Sequence, residues 1–254
     1  MVGWVWLFAP LSLLAPRLMY AFSYFRDGSD VGAMQHSVLG GSKLTLRDSA
    51  RRFRGCLSRD DVDLDEFANA ARDFVAKVER FGEFTNRGVE DVRSNLRRVD
   101  EAKGRARARS MRQLLMDQVR RGERSPKGGP ERRSGAEALL WSRLGLKFWV
   151  DCFKDYVRAP RGSATLQTAT RNGFQSSLAR YLDRFSRAAF NAAVRSVPDW
   201  DYVRRRTNFG CENGVCSDEH LRRELRSFVD DVEPVLERMT ALQKSVGLED
   251  PRTP

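Results

Sequence analysis

The chain has 254 residues, of which 41% are hydrophobic, enough for one substantial core or two small ones. Its formal charge of +11 implies attraction to polyanions, either nucleic acid or an anionic membrane surface. Four cysteines and two histidines are too few for a disulfide framework or a His-based triad. The sequence also carries no nucleophile motif, phosphate loop or metal-ligand pattern, so neither an enzyme nor a cofactor or metal is expected.

Residues 1–25 (MVGWVWLFAPLSLLAPRLMYAFSYF) are strongly apolar. The run before Arg17 is shorter than the roughly 20 residues needed to cross a bilayer, and Pro10 and Pro16 interrupt it. It also lacks the basic start of a signal peptide. A signal anchor, an in-plane anchor, a cleaved leader and a misplaced gene start all fit, and a membrane-associating segment fits best. Residues 26–59 read as a linker with a short helix around Leu44–Phe53 and a basic patch at Arg47, Arg51, Arg52 and Arg54.

From Asp60 the periodicity sharpens. Leu64, Phe67, Ala71, Phe74, Val75, Val78 and Phe81 mark an amphipathic helix, with Asp61 or Asp63 as its cap. A second helix starts near Gly88 and runs to the Arg/Ala-rich stretch 103–109. Met111, Leu114, Leu115 and Val119 continue it or open a new helix after a break near Gly104. Gly122–Gly135 is dense in Gly, Pro and charge and reads as a loop.

Ala136–Val157 is apolar on most sides, as a central buried helix must be. Thr165–Val197 predicts one long helix with Phe174, Tyr181, Phe185 and Phe190 on its apolar stripe, stopped by Pro198. A short piece at Trp200–Val203 and a loop at Asn208–Asp218 follow. The last helix runs from His220 to about Val246 and carries Pro234. No convincing β alternation is present. Residues 60–250 are therefore expected to form an all-α domain of roughly six to eight helices.

Cys211-x4-Cys216-x3-His220 has the outline of a metal site but lacks a second ligand pair. Two ordinary thiols in a surface loop fit it better, and a disulfide would require an oxidising compartment.

Within the second helix, Asp91, Asn95 and Arg98 fall at i, i+4 and i+7 and so form one column. The column offers an acceptor, an amide and a fork of donors, which suits a head group carrying hydroxyls and an amide. The same pattern also describes a solvated charged face.

The order of these pieces resembles the glycolipid transfer protein superfamily over about residues 60–250. Asp91-Val-Arg-Ser-Asn-Leu-Arg-Arg98 resembles its head-group helix, and Leu140-Trp-Ser-Arg-Leu-Gly-Leu-Lys-Phe148 its central helix. Leu178-Ala-Arg-Tyr181 through Val197-Pro198, and Phe228 to Leu242, resemble the two that follow. The resemblance implies a two-layer helical sandwich that moves sphingolipids between membranes without chemistry. It also implies that Asp91, Asn95, Arg98 and Trp141 bind the head group, the indole serving as a stacking plate for a sugar. Arg143 and Tyr181 are additional candidates.

The branch that carries ceramide-1-phosphate has two arginines where this chain has Glu137 and Trp141. A carboxylate repels a phosphate at close range, so the sequence resembles the sugar-binding branch more closely. One departure is Leu182, which stands where the family has a His that holds the ceramide amide. Arg184 and Arg195 stand where the family has membrane-contacting aromatics, and they would replace aromatic insertion by attraction to anionic lipid.

The expected ligand is thus a glycosylceramide-like sphingolipid, its chains in an apolar tunnel. The expected partner is an anionic membrane surface, met by a monomer in the cytoplasm or on the cytosolic face of membranes, with residues 1–25 as a further anchor. No nucleic acid is expected. A membrane-tethered sensor of sphingolipid or ceramide-1-phosphate that binds without shuttling is the alternative, and a basic helical nucleic-acid binder is the second.

Overall fold

Helix starts are written into the sequence by side chains that accept the orphan amide hydrogens of a first turn. Thr45 and Asp48 form a reciprocal box at α1 (Leu46–Gly55). Asp63, one of the two expected caps, accepts from the amides of Asp65 and Glu66 at α2 (Leu64–Glu79). Ser110 and Gln113 box the start of α4 (Met111–Arg120). Ser134 caps α5 (Gly135–Arg158), Thr165 caps α6 (Leu166–Ser177), and Ser217 caps α9 (Asp218–Ser245). The remaining helices are α3 (Asn86–Ala106), α7 (Arg184–Ala193) and α8 (Trp200–Thr207).

The computed structural model describes residues 45–207 and 216–251. The expectations for residues 1–25, for most of the linker and for Cys211 lie outside them. Cys216 is buried and disulfide-bonded, while Cys56 and Cys152 are buried free thiols. Among the described residues no helix is long and apolar enough to cross a membrane, and no group of three or more His, Cys, Asp or Glu side chains can hold a metal.

The fold is all-α, with nine α-helices among the described residues. Beside two isolated bridges, Asp63–Ser110 and Arg124–Pro130, its β pairing there is a minimal antiparallel ladder of β1 (Leu57–Ser58) on β2 (Asp61–Val62), too short to leave an alternation in the sequence. Packing runs α1 on α2, α2 on α3, α3 on α5, α5 on α9 and α9 back on α1, and α6 covers the outer side of α5. The interior of this ring is aromatic. Phe74 and Phe228 stack at 4.4 Å, Phe53 meets Phe228 edge-on at 6.0 Å, and Phe153 meets Phe228 at 5.5 Å.

Three expectations are refined or corrected. First, α1 lies within the stretch expected as a linker and packs on α9 and α2. Leu46, Ala50 and Phe53 of α1 are fully buried, and the Arg47 amide donates to Glu224 of α9. The short amphipathic stripe inside the expected linker is part of the core. Second, α3 ends within the expected stretch 103–109, but the break lies three residues past Gly104, at Arg107, whose φ of 50° turns the chain out of the helix.

Third, the helix expected over Thr165–Val197 is broken. After α6 comes a 3-10 turn at Ala179–Tyr181. Leu182 is then extended (φ −108°, ψ 146°), and Asp183 accepts from the Ser186 amide to start α7. Tertiary contact fixes the position of α6 along its length. A methyl group on Gly173 would lie 2.5 Å from Cys152 Sγ and 2.9 Å from the Phe148 carbonyl oxygen, so α6 and α5 touch backbone to backbone there.

The far end of α5 is closed by Arg222 of α9. Its guanidinium donates to the carbonyls of Tyr156 and Ala159, a favourable place for a cation. Asp218 accepts from Arg222 Nε at 2.7 Å and from the Tyr156 hydroxyl. Burial raises the Asp218 carboxyl, but the hydrogen bonds from Tyr156 and Arg222 outweigh it, and the net shift is downward. The stability it contributes is therefore fully present above the ordinary carboxylate range near pH ~4 and is lost as pH falls through the lowered value. The urea midpoint should drop between pH 7 and pH 3, and Asp218→Asn should flatten that drop. An unchanged pH profile in the variant would remove Asp218 from the acid-labile set.

Candidate functional site

The column Asp91–Asn95–Arg98 lies on α3, and its position is set by how closely α3 meets α5. A methyl group on Gly135 would lie 2.5 Å from Ala102 Cβ, and one on Gly145 would lie 3.5 Å from Val92 Cγ2. Between these points Arg98 reaches Glu137 at 2.7 Å. As α3 descends α5 rises, so interpolation between Arg98–Glu137 and Val92–Gly145 brings Trp141 level with Asn95. Glycines at both ends let the two backbones approach.

Asp91 is exposed, whereas Asn95 is buried and Arg98 half-buried. The Arg98 fork is engaged: one nitrogen donates to Asn95 Oδ1 at 3.1 Å, the other to the Ser134 carbonyl at 3.1 Å and to Glu137. Asn95 thereby commits its oxygen inward and keeps its NH₂ as the group to offer a ligand. Glu137 also accepts from the Arg133 amide at 2.6 Å. The sequence marked Glu137 as a repulsive carboxylate, but its partnership with Arg98 lies 39 residues away in the chain and left no local signal.

Trp141 is half-buried and meets Tyr181 edge-on at 6.2 Å. With Leu140, Leu144 and Leu178 they form a small apolar cluster of their own. Tyr181 thus supports the indole from behind. The half-buried Leu182 follows it, with no hydrogen-bonding group to offer at the position of the family His.

Arg143 does not join this set. It lies two positions from Trp141, hence on another side of α5. Its guanidinium donates to Gln243 at 3.1 Å, to Thr240 at 2.6 Å and to both oxygens of Glu249 at 2.6 and 2.7 Å. This is a buried clamp on α9 and the C-terminal segment, and the expectation of a head-group role is withdrawn.

Two cavities flank α5. One of about 280 Å³ opens between α5, α6 and α9, with Lys147, Arg180, Tyr181, Glu237 and Lys244 on its walls. None of its lining residues comes from α3, and it shares Leu144 and Tyr181 with the Trp141 cluster. The other is an apolar seam beneath the column, lined by Phe74, Val78, Val89, Val92, Leu146 and Trp149 and holding only about 10 Å³. The open tunnel expected for alkyl chains is closed here, so chains would have to part α2, α3 and α5 along that seam.

Beside the cluster lies α7, which buries none of its residues. Phe185, expected on the buried stripe, is 66% exposed, with the Arg184 guanidinium 4.8 Å above its ring. Arg195 in the following turn is also exposed. The helix is held chiefly by Phe190, stacked at 3.7 Å on Phe174. Exposure of Phe185 was not legible in a stripe that also carries the packed Phe190.

A family model described as glycolipid transfer protein matches residues 62–208. No curated protein matches the chain. Among solved structures, the human ceramide-1-phosphate transfer protein in complex with 12:0 ceramide-1-phosphate is similar with a TM-score of 0.71 at 18% identity, over 81% of this chain and 98% of that one. The mouse ceramide-1-phosphate transfer protein in its apo form gives 0.70 at 19%, over 82% and 99%. The GLTP-fold with which FAPP2 selects simple glycosphingolipids gives 0.66 at 19%, over 83% and 96%. At these identities the likeness is one of fold, and it spans both head-group classes.

Proposed function

Because this chain belongs to the glycolipid transfer protein family, we propose that it binds a sphingolipid with a sugar-like head group and carries it between membranes. Asp91 and the Asn95 amide take the hydroxyls and the ceramide amide, and Trp141 offers its ring face to the sugar. Arg98 holds Asn95 in register from behind. The chains enter the seam between α2, α3 and α5, where burial is worth ~0.8 kcal/mol per CH₂ against the work of parting the helices. Docking uses the exposed face of α7, with Phe185 entering the interface while Arg184 and Arg195 meet anionic lipid.

What supports this reading is the pair of α3–α5 contacts, Arg98 to Glu137 and Val92 to Gly145, since Asn95 lies midway between the two α3 residues and Trp141 midway between the two α5 residues. The test is transfer of fluorescent galactosylceramide between vesicles by the purified chain. Asp91→Val and Trp141→Ala should each lower the rate by roughly tenfold or more, the effect of a charge-assisted hydrogen bond or a stacked ring. Circular dichroism should remain unchanged. Transfer by both variants at the wild-type rate would remove the assigned site. Leu182 favours a second reading, a sensor that binds without shuttling, and bound lipid without transfer would select it.

A further inference from the structure

The Asp91 column contains a cation that is already answered. Arg98 and Glu137 are largely buried, with side chains 17% and 14% exposed, and they meet at 2.7 Å. Glu137 is not free to swing aside. It sits in the first turn of α5, where the helix N-terminus favours a carboxylate, and the Arg133 amide holds the same oxygen at 2.6 Å. Arg98 is held equally firmly, by Asn95 Oδ1 and the Ser134 carbonyl. Together the two charges cancel within the column.

Resting on the sphingolipid reading above, we infer that Glu137 is the residue that makes this site select neutral, hydroxyl-bearing head groups over phosphate. It acts as an internal counter-ion that occupies Arg98. A phosphate approaching Asn95 meets a guanidinium whose charge is already spent on Glu137, so it finds no net cation to bind. It gains nothing from Arg98 unless it displaces Glu137, and that would leave a largely buried carboxylate unpaired. A hydroxyl demands no cation. It accepts from the Asn95 amide and donates to Asp91 with the ion pair intact. Specificity here arises from an intramolecular occupant of the cationic position, not from the absence of a cation.

The test presents the full-length chain with neutral phosphatidylcholine vesicles doped with either galactosylceramide or ceramide-1-phosphate. Native mass spectrometry reads the lipid carried off in a 1:1 complex, so attraction of a basic protein to anionic vesicles is not counted. Wild type should take up galactosylceramide and little ceramide-1-phosphate. The isosteric Glu137→Gln should raise ceramide-1-phosphate uptake by roughly tenfold or more, the scale of one hydrogen bond to a charged group. Combining it with Arg98→Gln should abolish that gain, because no cation remains to be released.

Equal uptake of both lipids by the wild type would overturn the selectivity claim. So would a Glu137→Gln chain that gains no ceramide-1-phosphate, or a double variant that keeps the gain. In each case the sphingolipid reading stands. If neither wild type nor variant takes up either lipid, that reading fails and the inference with it.

Discussion

Phe228→Ala is expected to cost about 3–5 kcal/mol, the range for deleting a fully buried phenyl ring. Phe228 has no exposed surface and touches three other rings: Phe74 stacked at 4.4 Å, Phe153 at 5.5 Å and Phe53 at 6.0 Å. Those rings come from α2, α5 and α1, so a single residue of α9 joins four helices of the ring. The surrounding aromatics are rigid and each is held by others, which limits how far the site can collapse around the void. Urea unfolding should show a lower midpoint with an unchanged slope. A loss below about 1 kcal/mol would mean that the cluster repacks and is not the keystone described here. Phe74 also lines the closed seam, so loosening its stacking partner should ease entry of alkyl chains even as it weakens the fold.

Arg143→Met should be comparably damaging, at about 3–5 kcal/mol, for a different reason. Arg143 and Glu249 have side chains only 4% and 7% exposed, and truncating one partner strips a buried carboxylate of its guanidinium. Two further bonds, to Thr240 and Gln243, are lost with it. The distinguishing experiment is the double variant Arg143→Met with Glu249→Leu. If the loss reflects an abandoned charge, the second change should recover most of it, since apolar replacements of buried pairs are often neutral. Equal destabilisation of single and double variants would instead assign the effect to the hydrogen bonds with α9. The clamp matters for the site because it fixes the rotation of α5, and Trp141 lies two residues away on that helix.

Helix content, the loop at Gly122–Gly135 and the burial of α5 follow from patterns that local chemistry writes directly. Apolar residues at helical spacing, caps such as Asp63 and Ser134, and clustered Gly and Pro act within a few residues of themselves. The column Asp91–Asn95–Arg98 was legible for the same reason, because one helix generates it. The α1 stripe was equally present at Leu46, Ala50 and Phe53, but a short helix in basic surroundings has too few periods to be told from a linker until its partners are known.

What tertiary structure alone decided concerns pairs distant in the chain. The break after α6 follows from how α6 docks at Gly173 and how Asp183 restarts the chain, a choice that the apolar spacing through residues 165–197 does not contain. Arg143 and Arg98 are both arginines near the candidate site, and nothing local separates them. One is spent on Glu249, 106 residues away, and the other on Glu137, 39 residues away. A side chain's chemistry is fixed by its type, but whether its charge is available to a ligand depends on what the fold sets opposite it. The residue types needed for a polar column came from the sequence; the cancellation of its one cation came from the packing of α3 on α5.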